Sequence, residues 1–373
     1  MIIRTDVFKD VCSKILAAVD SNQISVITET LEIKCEEGIC TLGVTNREYF
    51  VEVKLPAGTD EKFHATVNAT LFLRLVAQIT TDCIELLIKD NSLVVKGNGN
   101  YTFPLIFDND KLLELPAITI DNPITEFNIP TDILNSIVTF NSKELLKGDP
   151  QKPVQNLYYI DKEGAITFRS TACVNSFSLE KDIKILVNDR VVKLFKLFKT
   201  DNVKFTLGYD NIGEDIIQTK VKFISDNITL TAILSSDESM ISSVPVKAIR
   251  GRANNIYPHS ITLNKDGLLQ TINRLLLFKP TNDKIKLYST FVFSRDSVTI
   301  YDVSKVNKEQ INYVNSGYDS DEPYSAILDL MDLKPILETC SEQYIMINFG
   351  DHVGVVLARG NVKNVIPEIH AAE

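Results

Sequence analysis

A short alternating strand runs into a small polar residue and then into an amphipathic segment at six places along the chain. Thr, Asn and Asp each carry a side-chain oxygen that can accept a hydrogen bond from the free amides in the first turn of a helix. The pattern predicts six helices, each entered from a strand, at intervals of roughly sixty residues with one longer interval before the fifth. The predicted caps are Thr5, Asn68, Thr131, Asn188, Asn264 and Asp329, and the helices centre near Cys12, Leu73, Leu134, Leu194, Gln270 and Leu333.

Segments between these helices alternate apolar and polar residues and are separated by polar turns, as antiparallel strands are. The predicted fold class is therefore α+β, with six units of one helix packed on a small sheet. Three domains of two units each are the economical arrangement, with boundaries in polar connectors near Ile120–Pro123 and Arg250–Asn255. The predicted domains are residues 1–121, 122–252 and 253–373, and the predicted strands include Ile24–Ile27, Val154–Ile160 and Asn175–Leu179.

Charge and hydropathy narrow the possible functions. The 373-residue chain has a formal net charge of −10, which argues against binding nucleic acid over its whole surface. It does not argue against a protein whose basic residues are concentrated on an inner surface. The longest apolar runs, such as Leu275–Phe278, are far shorter than the roughly twenty residues of a membrane helix. No signal peptide is visible after Met1, so a cytoplasmic protein that does not engage a membrane is expected.

Basic residues collect on the predicted helices. Arg190, Lys193, Lys196 and Lys199 lie opposite the apolar stripe of the fourth helix, which is formed by Val191, Leu194, Phe195 and Phe198. Further apolar stripes are predicted at Val7, Val11, Ile15 and Val19, and at Leu71, Leu75 and Ile79. The basic faces are either solvated surface or a surface for a polyanion. Other helix cations are Lys9, Lys14, Arg74, Lys143, Lys147, Arg274 and Lys279.

The six cysteines are scattered, and only Cys35 and Cys40 lie close together, on either side of a predicted hairpin turn. This pair is either a metal or redox pair or two small buried side chains. Elsewhere no HExxH, HxxxH or Gly-x-Ser-x-Gly motif occurs, and the acidic stretch Asp319–Glu322 lacks the rest of a calcium loop. No enzymatic activity, metal or cofactor is predicted.

The chain resembles the sliding clamp, the β subunit of bacterial DNA polymerase III. The resemblance rests on the order and spacing of the units and on three segments: Gly43–Glu48, Ala65–Ala69 and the closing Val362–Pro367. It departs from the family at Ser170–Phe177, where only Thr171 and a following apolar residue are kept, and after Pro367. A divergent clamp, bacterial or encoded by a phage, is the hypothesis.

The resemblance implies a ring around duplex DNA, with cationic helices inside. Six helices at roughly 9 Å spacing give about 17 Å between opposite axes, too narrow for a duplex about 20 Å wide. Twelve helices give about 34 Å between axes and about 24 Å clear, so two chains are required. The predicted DNA-facing residues are Lys9, Lys14, Arg74, Arg190, Lys193, Lys196, Lys199, Arg274 and Lys279.

Two further surfaces follow from the resemblance. A head-to-tail homodimer would join the first domain of one chain to the third domain of the other, through Phe103 and Leu105 against Leu276 and Leu277. A groove would bind short apolar peptides of a DNA polymerase and a clamp loader. Its predicted residues are Val154, Thr171, Pro245, Ile249, Val365, Ile366 and Pro367, although each of them is also a plausible core residue.

Two other classes of function stay open from the sequence. A scaffold or a binder of apolar ligands could be built from the same repeated units, with the basic faces serving solubility alone. A hydrolase whose site is assembled from distant residues would instead show a cleft with paired titrating groups.

Overall fold

The computed structural model of the chain describes residues 1–20, 25–57, 62–140, 152–211, 217–234, 237–278 and 287–369. The chain forms two compact units. Residues Met1–Leu134 and Arg190–Ser235 make up the first unit, and Asn135–Asp189 with Ser236–Glu373 make up the second.

The helices of the described residues include the six that the sequence predicts. The α-helices are α1 (Thr5–Ala18), α2 (Val26–Glu29), α3 (Ala69–Gln78), α4 (Thr131–Thr139), α5 (Asp189–Leu194), α6 (Glu238–Ser243), α7 (Val246–Ala253), α8 (Lys265–Leu275) and α9 (Leu330–Thr339). Three 3₁₀ turns accompany them: η1 (Pro153–Asn156), η2 (Phe195–Leu197) and η3 (Leu276–Phe278).

The strands fill most of the remaining described chain. They are β1 (Ile2–Arg4), β2 (Thr30–Glu36), β3 (Ile39–Thr45), β4 (Tyr49–Pro56), β5 (Phe63–Asn68), β6 (Cys83–Lys89), β7 (Ser92–Lys96), β8 (Asn100–Pro104), β9 (Phe107–Asp108), β10 (Lys111–Leu112), β11 (Asn122–Pro130), β12 (Leu157–Asp161), β13 (Gly164–Phe168), β14 (Ala172–Ser176), β15 (Lys184–Asn188), β16 (Asn202–Asn211), β17 (Ile217–Ser225), β18 (Ile228–Ile233), β19 (His259–Asn264), β20 (Tyr288–Phe293), β21 (Ser297–Tyr301), β22 (Lys308–Asn312), β23 (Asn315–Ser316), β24 (Tyr324–Asp329), β25 (Tyr344–Phe349), β26 (Gly354–Arg359) and β27 (Val362–Pro367).

One four-stranded group recurs six times in the sheets. In each group the strand that leads into a helix pairs with the first strand of a three-stranded antiparallel meander. The groups are β1-β6-β7-β8, β5-β2-β3-β4, β11-β16-β17-β18, β15-β12-β13-β14, β19-β25-β26-β27 and β24-β20-β21-β22. The predicted α+β fold of six helix-and-sheet units is confirmed.

Four of these groups are joined in pairs through their third meander strands. β4 pairs with β18 in the first unit, which gives an eight-stranded sheet, and β14 pairs with β27 in the second, which gives a nine-stranded sheet that also holds β23. The other two groups are four-stranded sheets, and their third meander strands, β8 and β22, lie at sheet edges among the described strands.

The predicted caps divide into those that bind the first turn and those that do not. Side-chain oxygens of Asn68, Asn264 and Asp329 accept hydrogen bonds from the amides of Leu71, Gly267 and Met331. Thr5 does not cap α1, because it is the first helical residue and its hydroxyl is buried without a hydrogen-bond partner among the described atoms. Thr131 likewise begins α4, and its hydroxyl donates to the carbonyl of Thr200. Asn188 directly precedes α5.

Two predicted apolar stripes are wrong in detail. Helix α1 buries Phe8, Val11, Cys12, Ile15 and Ala18, whereas Val7 is exposed and Val19 lies past its end. In α3 the buried residues are Ala69, Phe72, Leu73 and Val76, while Leu71 is exposed and Leu75 is half-buried; Ile79, just past the helix end, is buried as predicted. A row of every fourth residue turns by about 40° per step, so it leaves the sheet-facing side within three steps.

Parts of two predicted strands and most of one predicted connector are helical, whereas Leu157–Ile160 of the strand predicted at Val154–Ile160 lies in β12 as expected. Val26 and Ile27 begin α2, and Val154 lies in η1, which starts at Pro153. Most of the second predicted connector, Arg250–Asn255, is the end of α7. The strand predicted at Asn175–Leu179 is instead β14, because pairing with β13 and β27 fixes it at Ala172–Ser176.

A buried ion pair holds the connector between β10 and β11. Lys220 on β17 donates to the carboxylate of Asp210 on β16 and to the carbonyl of Thr119, 3.0 Å away. The amide of Asp121 donates to the same carboxylate at 2.8 Å. Burial alone would raise the pKa of Asp210, but the hydrogen bonds from Lys220 and Asp121 outweigh it and hold that pKa below its ordinary value. The connector also passes close to Gly208, where a Cβ atom would lie 2.3 Å from Ile120 Cγ2.

Candidate functional site

The densest basic segment is Arg190–Lys199, in the first unit. Its four cations are exposed, and the apolar pairs between them, from Val191–Val192 to Leu197–Phe198, are buried. The predicted stripe of Val191, Leu194, Phe195 and Phe198 is therefore confirmed as buried. The α-helix predicted through Lys199 is shorter, because α5 ends at Leu194 and η2 follows. Arg190 and Lys193 lie on α5, Lys196 lies in η2 and Lys199 follows η2.

The cations of this segment differ in their electrostatic surroundings. Arg190 Nη1 lies 3.4 Å from Asp20 Oδ2 and 3.8 Å from Glu48 Oε2, so its charge is partly compensated. Lys196 and Lys199 lie within 4 Å of no carboxylate in the part of the chain that the structure describes. The uncompensated positive charge is therefore greatest towards the C-terminal end of the segment.

The other predicted DNA-facing cations in the described chain lie on α1, α3 and α8. Lys9 and Lys14 are half-buried on α1, where Lys14 pairs with Asp10 at 2.7 Å, and Arg74 is exposed on α3. In the second unit, Arg274 on α8 binds both carboxylate oxygens of Glu309 on β22, at 2.8 and 2.5 Å. The hydrogen bond from Arg274 lowers the pKa of Glu309, so this arginine is neutralised. Lys143, Lys147 and Lys279 lie outside the described residues.

A second candidate site is an apolar cluster in the second unit, which we call the α7 cluster. It brings together three predicted groove residues: Val154 from η1, Ile249 from α7 and Val365 from β27. Its partly buried members that the sequence analysis missed are Phe168, Ala172, Met240, Ile241 and Val246. Met240 and Ile241 lie on α6, which the sequence analysis did not predict, and methionine adapts its shape to varied apolar partners.

The other predicted groove residues have different surroundings. Thr171 is buried, and its carbonyl accepts a hydrogen bond from the amide of Arg169 at 2.7 Å. Pro245 is the exposed N-cap residue of α7, and Pro367 is the exposed end of β27. Ile366 is not part of the α7 cluster, because successive side chains of β27 point to opposite faces and Ile366 joins the larger core of the second unit.

Two arginines fix α7 against its neighbours. Arg250 binds both carboxylate oxygens of Asp161, at 2.5 and 2.8 Å, and Glu163 at 2.8 Å. Arg252 binds Asp351 at 2.9 Å. Bidentate arginine–carboxylate pairs are directional, so these contacts set the position of Ile249 over the cluster.

The predicted dimer residues fall into buried and exposed sets. Phe103 on β8 is buried, with its ring centroid 5.4 Å from that of Phe72, so its side chain belongs to the core of the first unit. Leu105 follows β8 and is half-buried. In η3, Leu276 packs against the core of the second unit, whereas Leu277 is 79% exposed.

Two other kinds of site are not found among the described residues. They contain no group of three or more His, Cys, Asp or Glu side chains placed to hold a metal ion. None of the helices described is both long enough and apolar enough to cross a membrane.

These sheets and helices define the class of the fold: the chain has the fold of the DNA polymerase sliding clamps. The sliding clamp of Bacillus subtilis superimposes with a TM-score of 0.78 at 13% identity, over 100% of this chain and 99% of that one. The DNA polymerase III β subunit of Pseudomonas aeruginosa gives 0.79 at 13% identity, over 99% of each chain. The β chain of Streptococcus pneumoniae gives 0.77 at 15% identity, again over 99% of each.

Sequence comparison alone does not reveal this likeness. No protein-family model matches the chain. No curated protein matches it either. The identities of 13–15% with the solved clamps agree with a divergent chain whose fold is kept by pattern rather than by residue identity.

Proposed function

We propose that the chain is a DNA sliding clamp, a cytoplasmic processivity factor that encircles duplex DNA as a homodimeric ring and tethers the replicative polymerase. It has no catalytic role and needs no cofactor in this proposal. The observation that carries it is the clamp fold over the full length of the chain, combined with the exposed three-residue cation repeat at Arg190–Lys199.

The sheet topology supports the homodimer. Third meander strands join the four-stranded groups within the chain, as β4 joins β18 and β14 joins β27. β8 and β22 are the two third strands left at sheet edges among the described strands. Exposed strand edges are templates for pairing with another chain. Pairing β8 of one chain with β22 of the next would extend the same rule, and two such contacts close a ring of two chains.

The proposed architecture keeps the three domains predicted from the sequence, residues 1–121, 122–252 and 253–373. Each would hold two of the six groups, so that twelve helices surround the DNA in the dimer. The duplex would be held without reading its sequence, because cations that contact phosphates carry no base information.

The proposed peptide site is the α7 cluster with the exposed Pro245 and Pro367 beside it in sequence. Its half-buried apolar side chains would bind Leu or Phe anchors of the DNA polymerase and the clamp loader. The bidentate contacts of Arg250 hold α7 in place before a peptide arrives, which reduces the ordering required on binding.

Retention on DNA of different topology tests the proposal. The dimer, loaded on nicked circular duplex DNA, is expected to stay bound after gel filtration at moderate salt and to leave once a restriction enzyme linearises the circle. Blocking both linear ends with bound protein should restore retention. Equal retention on circular and open linear DNA, or none on either, would contradict encirclement and favour a scaffold or an apolar-ligand binder.

Removing the uncompensated lysines is expected to weaken contact with phosphates. The double variant Lys196→Gln/Lys199→Gln should reduce the slope of log affinity against log salt by about two, since each phosphate contact contributes about 0.9. Fluorescence anisotropy with a short labelled duplex measures this slope. Lys54→Gln, an exposed lysine on β4, is the matched control, and an equal effect of this variant would place the DNA elsewhere.

Trimming the α7 cluster is expected to weaken peptide binding. Val365→Ala removes two methyl groups from the cluster and should raise the Kd of a fluorescent pentapeptide that ends in Leu-Phe by about tenfold, or roughly 1.4 kcal/mol. Val362→Ala, on the same strand but outside the cluster, is the control. If both variants bind the peptide as the wild type does, the cluster is core and not a groove.

A further inference from the structure

Two cysteines oppose each other directly in the hairpin of β2 and β3. The turn residues, Glu37 and Gly38, both have left-handed backbone conformations, with φ of 52° and 77°, as a two-residue type I′ turn requires. Glu36 and Ile39 flank the turn and pair with each other, and Cys35 pairs with Cys40 in the next position.

The position of this pair in the ladder suits a covalent link. In a two-residue hairpin the pair beside the turn exchanges both backbone hydrogen bonds, so the following pair is of the non-hydrogen-bonded kind. Cα atoms in such pairs are about 4.5 Å apart, which falls within the range of about 4.4–6.8 Å found in disulfides. The register of Cys35 and Cys40 is therefore compatible with a disulfide between them.

The side chains of Cys35 and Cys40 interact already as free thiols. Both are fully buried, and Cys35 Sγ also lies 3.2 Å from Met1 Sδ. A hydrogen bond between the two thiols lowers the pKa of Cys35 against the opposing effect of burial, and the same bond raises the pKa of Cys40. Cys35 is thus the more readily ionised member, and Cys40 retains its proton.

Cys35 lies at the wall of a cavity, although its own surface is fully buried. The cavity has a volume of about 420 Å³ and is also lined by Lys34, Lys62, Phe63, His64 and the carboxylates Glu36 and Glu114. A thiolate is the attacking species in thiol–disulfide exchange, so a reagent would have to approach Cys35 through this cavity. Cys12, by contrast, is buried in the same unit and burial raises its pKa.

We propose that Cys35 and Cys40 form a dithiol that a low-molecular-weight disulfide oxidises to a cross-strand disulfide. The Cys35 thiolate attacks one sulfur of the reagent, forms a mixed disulfide and releases the other half as a thiolate. Cys40 then loses its proton, attacks Cys35 Sγ, closes the Cys35–Cys40 bond and releases the second half. The reagent is reduced to two thiols, and the protein loses two electrons and two protons. This inference does not depend on the clamp function.

The test uses the full chain and oxidised glutathione. After exchange, free thiols are alkylated in denaturant and the protein is digested with trypsin, which places both cysteines in one peptide, Cys35–Arg47. The expected product is this peptide without alkyl groups and lighter than the reduced peptide by two hydrogen atoms. At a fixed ratio of oxidised to reduced glutathione, the folded chain should reach an oxidised-to-reduced ratio at least about tenfold higher than the synthetic peptide Cys35–Arg47.

Single variants separate the two roles. Cys40→Ser is expected to accumulate glutathione on Cys35, whereas Cys35→Ser should leave Cys40 unmodified, and Cys12→Ser should oxidise as the wild type does. Full alkylation of Cys35 and Cys40 in the wild type would overturn the proposal. So would a stable glutathione adduct on wild-type Cys35, or an oxidised fraction no greater than that of the free peptide.

Discussion

Lys220→Met is expected to lower the free energy of unfolding of the first unit by about 3–5 kcal/mol, because it leaves the Asp210 carboxylate buried without its cation. Lys220 and Asp210 are both buried, and Lys220 also holds the Thr119 carbonyl of the connector. Urea unfolding followed by circular dichroism measures the effect. Lys222→Met, two residues along the same strand and half-buried, is the matched control and should change stability by less than about 0.5 kcal/mol.

Replacing both partners distinguishes the pair from ordinary packing. Asp210→Leu/Lys220→Met should recover most of the lost stability, since a buried ion pair can be exchanged for apolar residues of similar size at little net loss. If the double variant is as unstable as Lys220→Met, the stability loss comes mainly from the lost contacts to the connector and not from the unpaired Asp210 carboxylate.

The pH dependence follows from the lowered pKa of Asp210. A carboxyl group whose pKa is lower in the folded than in the unfolded chain stabilises the fold above its ordinary pKa of 3.8. The contribution falls as pH drops from that value through the lowered folded pKa. As pH falls through this acidic range, the wild type should therefore lose stability relative to Asp210→Leu/Lys220→Met.

The repeated architecture was predictable because local signals agree with the tertiary structure. Asn68, Asn264 and Asp329 cap the helices that their sequence position predicts, and each follows a strand that pairs with the first strand of a meander. Capping depends on a residue and its next three neighbours, so it can be read without knowledge of distant contacts. The cap predicted at Thr5 is wrong, because α1 begins at Thr5 itself and the N-cap position is therefore Arg4.

Other features depend on partners distant in the chain. The end of β14 is set by its pairing with β27, nearly two hundred residues later, which alternation within Asn175–Leu179 could not indicate. Helix α6 has a largely polar sequence, so the apolar contributions of Met240 and Ile241 were missed. Val154, Ile249 and Val365 were found through the family resemblance, not through any local pattern.

The net charge around the predicted DNA-facing cations could not be predicted from the sequence. Sequence spacing identified Arg190 and Arg274 as cations on helices, but their partners Asp20 and Glu309 lie far away in sequence. The lysines at 196 and 199 therefore carry more of the proposed contact with DNA than composition alone suggests. The sheet pairing was likewise needed to identify β8 and β22 as edge strands, because the other four third meander strands pair with one another.

Leu277→Asp is expected to convert the proposed dimer to monomer, with a dissociation constant at least about 30-fold higher, because a buried apolar anchor at an interface contributes 2 kcal/mol or more. Leu277 is 79% exposed in the single chain, so the change should leave the fold of the second unit intact. Sedimentation velocity across a concentration series measures the dimer, and circular dichroism checks the fold.

Ile256→Asp is the matched control, because it alters an aliphatic residue that is 93% exposed and has no proposed interface role. The Ile256→Asp protein should remain dimeric and should be retained on nicked circular DNA. The Leu277→Asp protein should not be retained. A Leu277→Asp protein that still dimerises and is still retained would place the ring contact away from η3, and with it the pairing of β8 with β22.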